Sequence, residues 1–165
     1  MNTLITIIIL TLLQALFFGR IHLFGVAIPL VYTWFVLRTK RGTSRILLMV
    51  LSFILGLAVD IFGNTPGLAA TSMTLIACIQ PYVLELFLRR EDAPNFKPTL
   101  HTLGFLRYLT YALILLSIYC LVFFTLYLLP GFTDGFTWFL SVLSSLLLTL
   151  AVVIAIETSK KSWSV

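Results

Sequence analysis

Charge is scarce in this chain. Eleven Lys and Arg and six Asp and Glu are all it carries in 165 residues, or 10%. A soluble domain is about 25% charged and about 45–50% apolar, whereas here the apolar share is 60%. That excludes an ordinary globular domain. It also excludes disorder, which needs low hydrophobicity and high net charge. Cysteine is limited to Cys78 and Cys120. Each lies within an apolar stretch with no Cys or His at metal-ligand spacing, so both read as small buried hydrophobes. The chain has no Gly-x-Ser-x-Gly, no phosphate-cradling loop and no His-Glu-x-x-His. Its six acids are too scattered for a catalytic pair. The expectation is a protein that is not an enzyme and needs no cofactor or metal.

Long apolar runs are present instead. The mean hydropathy is +1.08, and a spanning helix needs roughly 20 apolar residues. Charged residues divide the chain into six candidate spans, at about 3–19, 22–37, 46–62, 67–88, 105–129 and 136–157. The expected fold is a single all-α, six-helix membrane domain over 1–165, with no soluble domain. The first two spans are short and form a hairpin around Gly19-Arg20, and Pro29 is expected to kink the second. No basic residue precedes the first apolar run, so it does not read as a cleavable signal.

The net charge is +5 and the pI about 9.5. The basic residues lie between apolar runs, so they read as a topology signal and not as a nucleic-acid surface. Arg38, Lys40, Arg41 and Arg45 separate spans two and three. Arg89, Arg90, Lys97 and Arg107 separate four and five, and Lys160 and Lys161 follow six. Ten of the eleven basic residues then share one side, and only Arg20 falls on the other. The positive-inside rule puts that side, with both termini, in the cytoplasm. His22 and His101 fall on opposite faces and cannot share a metal. Trp34, Trp138 and Trp163 lie near span ends, where interfacial anchors belong. The loop over about 89–104 holds two prolines and mixed charges, and reads as a loop or a short interfacial helix.

Asp60 is the most informative single residue. A carboxylate inside a span costs roughly 2.5–3.5 kcal/mol at the helix centre, so it must face protein or water. Gly56 and Asn64 lie four residues to either side and share its helical face. One reading has Asp60 staple the turn between spans three and four by accepting from the free N–H groups at the start of span four. The other makes it a contact for a partner or ligand. Span four carries small residues at helical spacing: Gly67, Ala70, Thr71, Thr74, Ala77 and Cys78. Such a face packs inside the bundle or against another protein. Gln80 precedes Pro81, where a kink is expected and Gln80 or a neighbouring span is expected to meet freed backbone groups. Glu85 pairs with Arg89 at i,i+4, and Glu157 is expected to neutralise Lys160 and Lys161. Arg20 snorkels to headgroups or meets Asp134. The cluster Arg38, Lys40, Arg41 and Arg45 is a topology signal, with anionic lipid or a cytoplasmic partner as the alternative.

The stretch Ile54-Leu55-Gly56-Leu57-Ala58-Val59-Asp60-Ile61-Phe62-Gly63-Asn64-Thr65-Pro66-Gly67-Leu68 resembles the bacterial rod shape-determining MreD family. In that family a Gly-x-x-x-Asp segment ends the third span. A turn with glycine and proline follows, then a span rich in Ala, Thr and Leu that ends in basic residues. Gly56, Asp60, Gly63, Pro66 and Gly67 match, as does Arg89-Arg90. Pro66 and Gly67 are adjacent here, where the family pattern has an apolar residue between them. The architecture is similar over the whole chain, but the specific match covers about 35 residues. The resemblance implies a non-enzymatic scaffold of the cell-elongation machinery in the cytoplasmic (inner) membrane. Such a scaffold binds MreC and acts with MreB, RodA and a class B penicillin-binding protein to regulate peptidoglycan synthesis. No nucleic-acid partner is implied, and membrane lipid is a partner by necessity.

A second reading stays open. The substrate-binding subunits of energy-coupling-factor vitamin transporters are also small, basic, six-span proteins, and the MreD family is thought to resemble them in fold. In that case Arg20, Asp60 and Asn64 would line a pocket for a small polar ligand.

Overall fold

The computed structural model describes residues 3–14, 29–65, 67–88, 96–128 and 135–159. Among them all regular structure is helical. Four helices are long and apolar enough to cross a membrane. They are α3 (Arg45–Gly63), α4 (Leu68–Phe87), α6 (Phe105–Leu128) and α7 (Gly135–Ser159). At 1.5 Å per residue they extend roughly 28–38 Å, against a hydrocarbon core of about 30 Å. Their bounds fall within two residues of the third to sixth spans expected from the sequence.

The first two expected spans look different. Helix α1 (Thr3–Leu13) accounts for the start of the first, and residues 15–28, with Arg20 and His22, lie outside the described residues. The described end of the second expected span is not one continuous helix. Pro29 and Leu30 are non-helical, Val31–Thr33 form a single 3-10 turn, and α2 is only Trp34–Leu37. Proline cannot donate to a helix, and its ring clashes with the carbonyl of the residue four back. At the expected kink, the described chain is non-helical at Pro29 and Leu30. A further short helix, α5 (Leu100–Leu103), lies in the loop before α6. Its capping box is the reciprocal bonding of Thr99 and Thr102.

Helix α4 is the centre of the bundle. It packs most extensively on α3, then on α6, and α6 carries α7. The α2 segment sits against α4 and α3, and the 3-10 turn touches α1 and α7. Leu30, Val31, Tyr32, Val36 and Leu37 are each at most 1% exposed. This piece of chain is buried throughout from Leu30 to Leu37. On α3 only Leu48, Ser52, Leu55, Gly56 and Asp60 are buried, a single stripe facing α4. The rest of α3 and of α7 is exposed or half-buried and mostly apolar, as lipid-facing surface should be.

Six hydroxyl groups on these helices follow one rule. Thr71, Thr74, Thr110, Thr125, Ser144 and Thr158 each donate to a carbonyl four residues back. The bond satisfies the hydroxyl within its own helix, which lets it stand in an apolar setting.

Candidate functional site

Two polar sites are built into this apolar bundle, and a basic surface closes one end. The first site is the α3–α4 turn. Asp60 is 5% exposed. Its Oδ1 accepts from the Ala69 N–H at 2.9 Å and from the Thr65 hydroxyl at 2.9 Å, and Oδ2 accepts from the Ala70 N–H at 2.9 Å. The first turn of a helix has no internal acceptors for its N–H groups, and its positive dipole end favours an anion. Asp60 supplies that anion from the neighbouring helix. One turn earlier, Gly56 allows the close approach. A Cβ there would lie 2.5 Å from Ala70 Cα and 2.7 Å from Ala69 O. Gly56 and Asp60 therefore act together, one admitting the backbone of α4 and the other binding its N–H groups.

The turn itself reverses through left-handed backbone. Asn64 has φ 52° and Gly67 φ +78°, and the Thr65 N–H donates to the Asp60 carbonyl at 3.2 Å. Asparagine tolerates this conformation better than other side chains, and glycine adopts it freely.

Of the residues singled out in the sequence, Gly56, Asp60 and Ala70 meet in one contact, and Gly63, Asn64 and Gly67 belong to the turn. The small-residue face of α4 is split. Ala70 and Ala77 are buried, Thr74 is half-buried, and Gly67, Thr71 and Cys78 are exposed. The expectation that both cysteines are buried holds only for Cys120. The reason is helical phase: position 78 turns away from the neighbours that cover Ala77. Glu85 is exposed on α4. Pro66, Arg89 and Arg20 lie outside the described residues, as do Lys160 and Lys161.

The second site is the segment 29–39, and sequence reasoning missed it. Backbone groups at its two ends lack helical partners, and Gln14 and side chains of α4, α6 and α7 supply them. Gln14, just past α1, donates through Nε2 to the Pro29 carbonyl at 3.0 Å, and its Oε1 accepts from the Val31 N–H at 3.3 Å. Thr149 of α7 accepts from the Leu30 N–H at 3.1 Å. Thr149 lies ten residues before the end of α7, hence about 15 Å from that end along its axis. At the other end of the segment, Tyr111 of α6 donates to the Leu37 carbonyl at 3.2 Å. Gln80 of α4 donates to the Tyr111 hydroxyl at 3.0 Å and to the Thr39 carbonyl at 3.4 Å. Tyr32 and Tyr119 share a hydroxyl–hydroxyl hydrogen bond between the segment and α6.

This arrangement corrects two expectations. Gln80 reaches across to α2 and α6, while α4 runs on through Pro81. Trp34 is no interfacial anchor; it is 5% exposed, and its Nε1 donates to Glu157 Oε2 at 3.1 Å. Glu157 is buried on α7 and accepts from that indole. One sequence signal pointed here, since Gln14 is the single amide side chain in the apolar run 3–19.

The third feature is the end of the bundle where α3 starts. The guanidinium of Arg38 stands 5.0 Å from the Trp34 ring centroid. Arg45 lies 4.5 Å over the Tyr82 ring and donates to the Tyr82 hydroxyl at 2.6 Å. The Arg41 N–H donates to the Phe96 carbonyl at 2.8 Å, which brings Lys97 beside Arg38 and Lys40. Basic residues between expected spans two and three thus meet Lys97, from the stretch between four and five, at one end.

Chemically, these sites offer anchoring. Amides, hydroxyls and one carboxylate are engaged with backbone groups. Among the described residues no three of His, Cys, Asp and Glu are grouped to hold a metal ion. Compared with protein-family models, with curated proteins and with solved structures, the chain matches none.

Proposed function

We propose that this chain is a non-enzymatic membrane scaffold of the MreD type, set in the bacterial inner membrane with both termini in the cytoplasm. In this reading it binds MreC. Through MreC it serves RodA, a class B penicillin-binding protein and MreB in organising cell-wall elongation. The observation that supports the reading is the contact between Gly56, Asp60 and the first turn of α4. The residues that carry the family resemblance are the ones that fix two spans at backbone contact. A scaffold needs such fixed geometry, because it presents helix surfaces in place of loops or domains.

The exposed apolar side of α3, with Phe53, Ile54, Leu57 and Ile61, is the surface on which a partner's spanning helix would rest. Helices in lipid associate by close packing and interhelical hydrogen bonds, not by a hydrophobic drive. A rigid face therefore favours association, since little order has to be imposed on binding.

The test is a co-purification from native membranes with a C-terminal tag and mild solubilisation. MreC recovered together with RodA and a class B penicillin-binding protein is the expected result. Recovery of a membrane coupling subunit with paired ATPases would overturn the scaffold and make the chain a transporter subunit.

A further inference from the structure

The basic end of the bundle carries an open cavity of about 430 Å³ that the scaffold reading does not use. We infer that it is a binding site for the phosphate headgroup of an acidic phospholipid. The cavity lies between the end of α2, the chain leading into α3, Thr6 of α1 and Lys97. Three cations line it: Arg38, Lys40 and Lys97. Lys40 and Lys97 are exposed, and neither side chain makes a hydrogen bond or an ion pair among the described residues. Arg38 is half-buried and held over the Trp34 ring, and Trp34 is in turn fixed by Glu157. One cation of the three is thus pre-positioned, while the other two are free to close on a ligand.

Other groups around the cavity narrow the ligand to an anion. The hydroxyls of Thr39 and Thr43 donate to the carbonyls of Phe35 and Lys40, so the cations are the donors left for a ligand. Thr43 just before α3 and Leu47 in its first turn line the same space, and no side chain caps the start of α3. Uncapped N–H groups and the positive end of the helix dipole add to the attraction for phosphate. Among the described residues no carboxylate forms an ion pair with Arg38, Lys40 or Lys97.

The cavity's wall distinguishes a lipid from a soluble phosphate compound. Leu47, Leu48 and Leu51 line one side over a full turn of α3. Leu47 is 52% exposed and continues into the exposed face with Val50 and Ile54. A headgroup seated on the cations would therefore lay its acyl chains along α3. Basic pockets between spans on the cytoplasmic side are where anionic headgroups bind, and this end is the one the positive-inside rule assigns to the cytoplasm.

The experiment uses the full chain in neutral detergent. Its melting temperature is followed as phosphatidylglycerol, phosphatidylcholine or inorganic phosphate is added, and native mass spectrometry counts retained lipid. Phosphatidylglycerol should raise the melting temperature saturably and phosphatidylcholine should not. The double variant Lys40→Gln/Lys97→Gln removes two exposed cations that the fold does not use. At about fivefold per cation it should weaken phosphatidylglycerol binding about 25-fold. Arg107→Gln, an exposed cation on α6 outside the cavity lining, should bind as the parent does. Equal protection by the two lipids, or undiminished binding by the double variant, overturns the site. Protection by inorganic phosphate as strong as that by phosphatidylglycerol overturns the lipid in favour of a soluble phosphate compound.

Discussion

The α3–α4 turn and the segment 29–39 solve the same problem in opposite ways. Each must satisfy backbone groups that a helix leaves free inside an apolar bundle. At the turn, Asp60 reaches donors five, nine and ten residues away. In the segment, Gln14 is 15 and 17 residues from its partners, Tyr111 is 74 from Leu37, and Thr149 is 119 from Leu30. The turn is closed by local chemistry. The segment is closed only once the helices around it have assembled. A break in a span is tolerable in a membrane when protein, not lipid, surrounds it, and the near-zero exposure of residues 30–37 meets that condition.

Substitutions that strike one region and spare the other can break the comparison. Gln14→Leu should be the most damaging. It leaves the Pro29 carbonyl and the Val31 N–H buried without partners, at about 1–3 kcal/mol for each. The check is a thermal melt in detergent, with a large drop expected. Gly56→Val comes next, because its new side chain starts 2.5 Å from the backbone of α4. Overpacking of this kind costs about 1–3 kcal/mol, and spin labels on α3 and α4 should report a wider separation. Asp60→Ala follows at about 0.5–2 kcal/mol for the lost cap. Asp60→Asn keeps one acceptor oxygen and should lose less; equal losses in the two variants would argue against capping. Thr71→Val should be the smallest. Its hydroxyl is exposed and bonded to its own helix, so a change within about 0.5 kcal/mol is expected.

Four spans were legible in the sequence because length and apolar content decide them. The contact of Asp60 with the start of α4 was legible as well, since a lone carboxylate beside a short turn has few acceptable partners. The clamp around residues 29–39 was not. Pro29 marks an interruption, but nothing local says that Gln14 and Thr149 will meet the freed groups, or that Trp34 will bond Glu157 across 123 residues. The face of α4 was half legible. Small residues at helical spacing gave the helix its candidates for close packing, yet only Ala70 and Ala77 face neighbours. Helical spacing alone left the phase open, and Gly56 on the facing helix fixes it.

Amide hydrogen exchange, read residue by residue on the full chain in detergent, tests the central claim most directly. The account predicts slow exchange at Leu30 and Val31, comparable to that at Ala69 and Ala70. Gln14→Leu should speed exchange at Val31 and its neighbours while sparing Ala69 and Ala70, and Asp60→Ala should do the reverse. Rapid exchange at Leu30 and Val31 in the parent protein would contradict it, as would a response of both regions to either substitution.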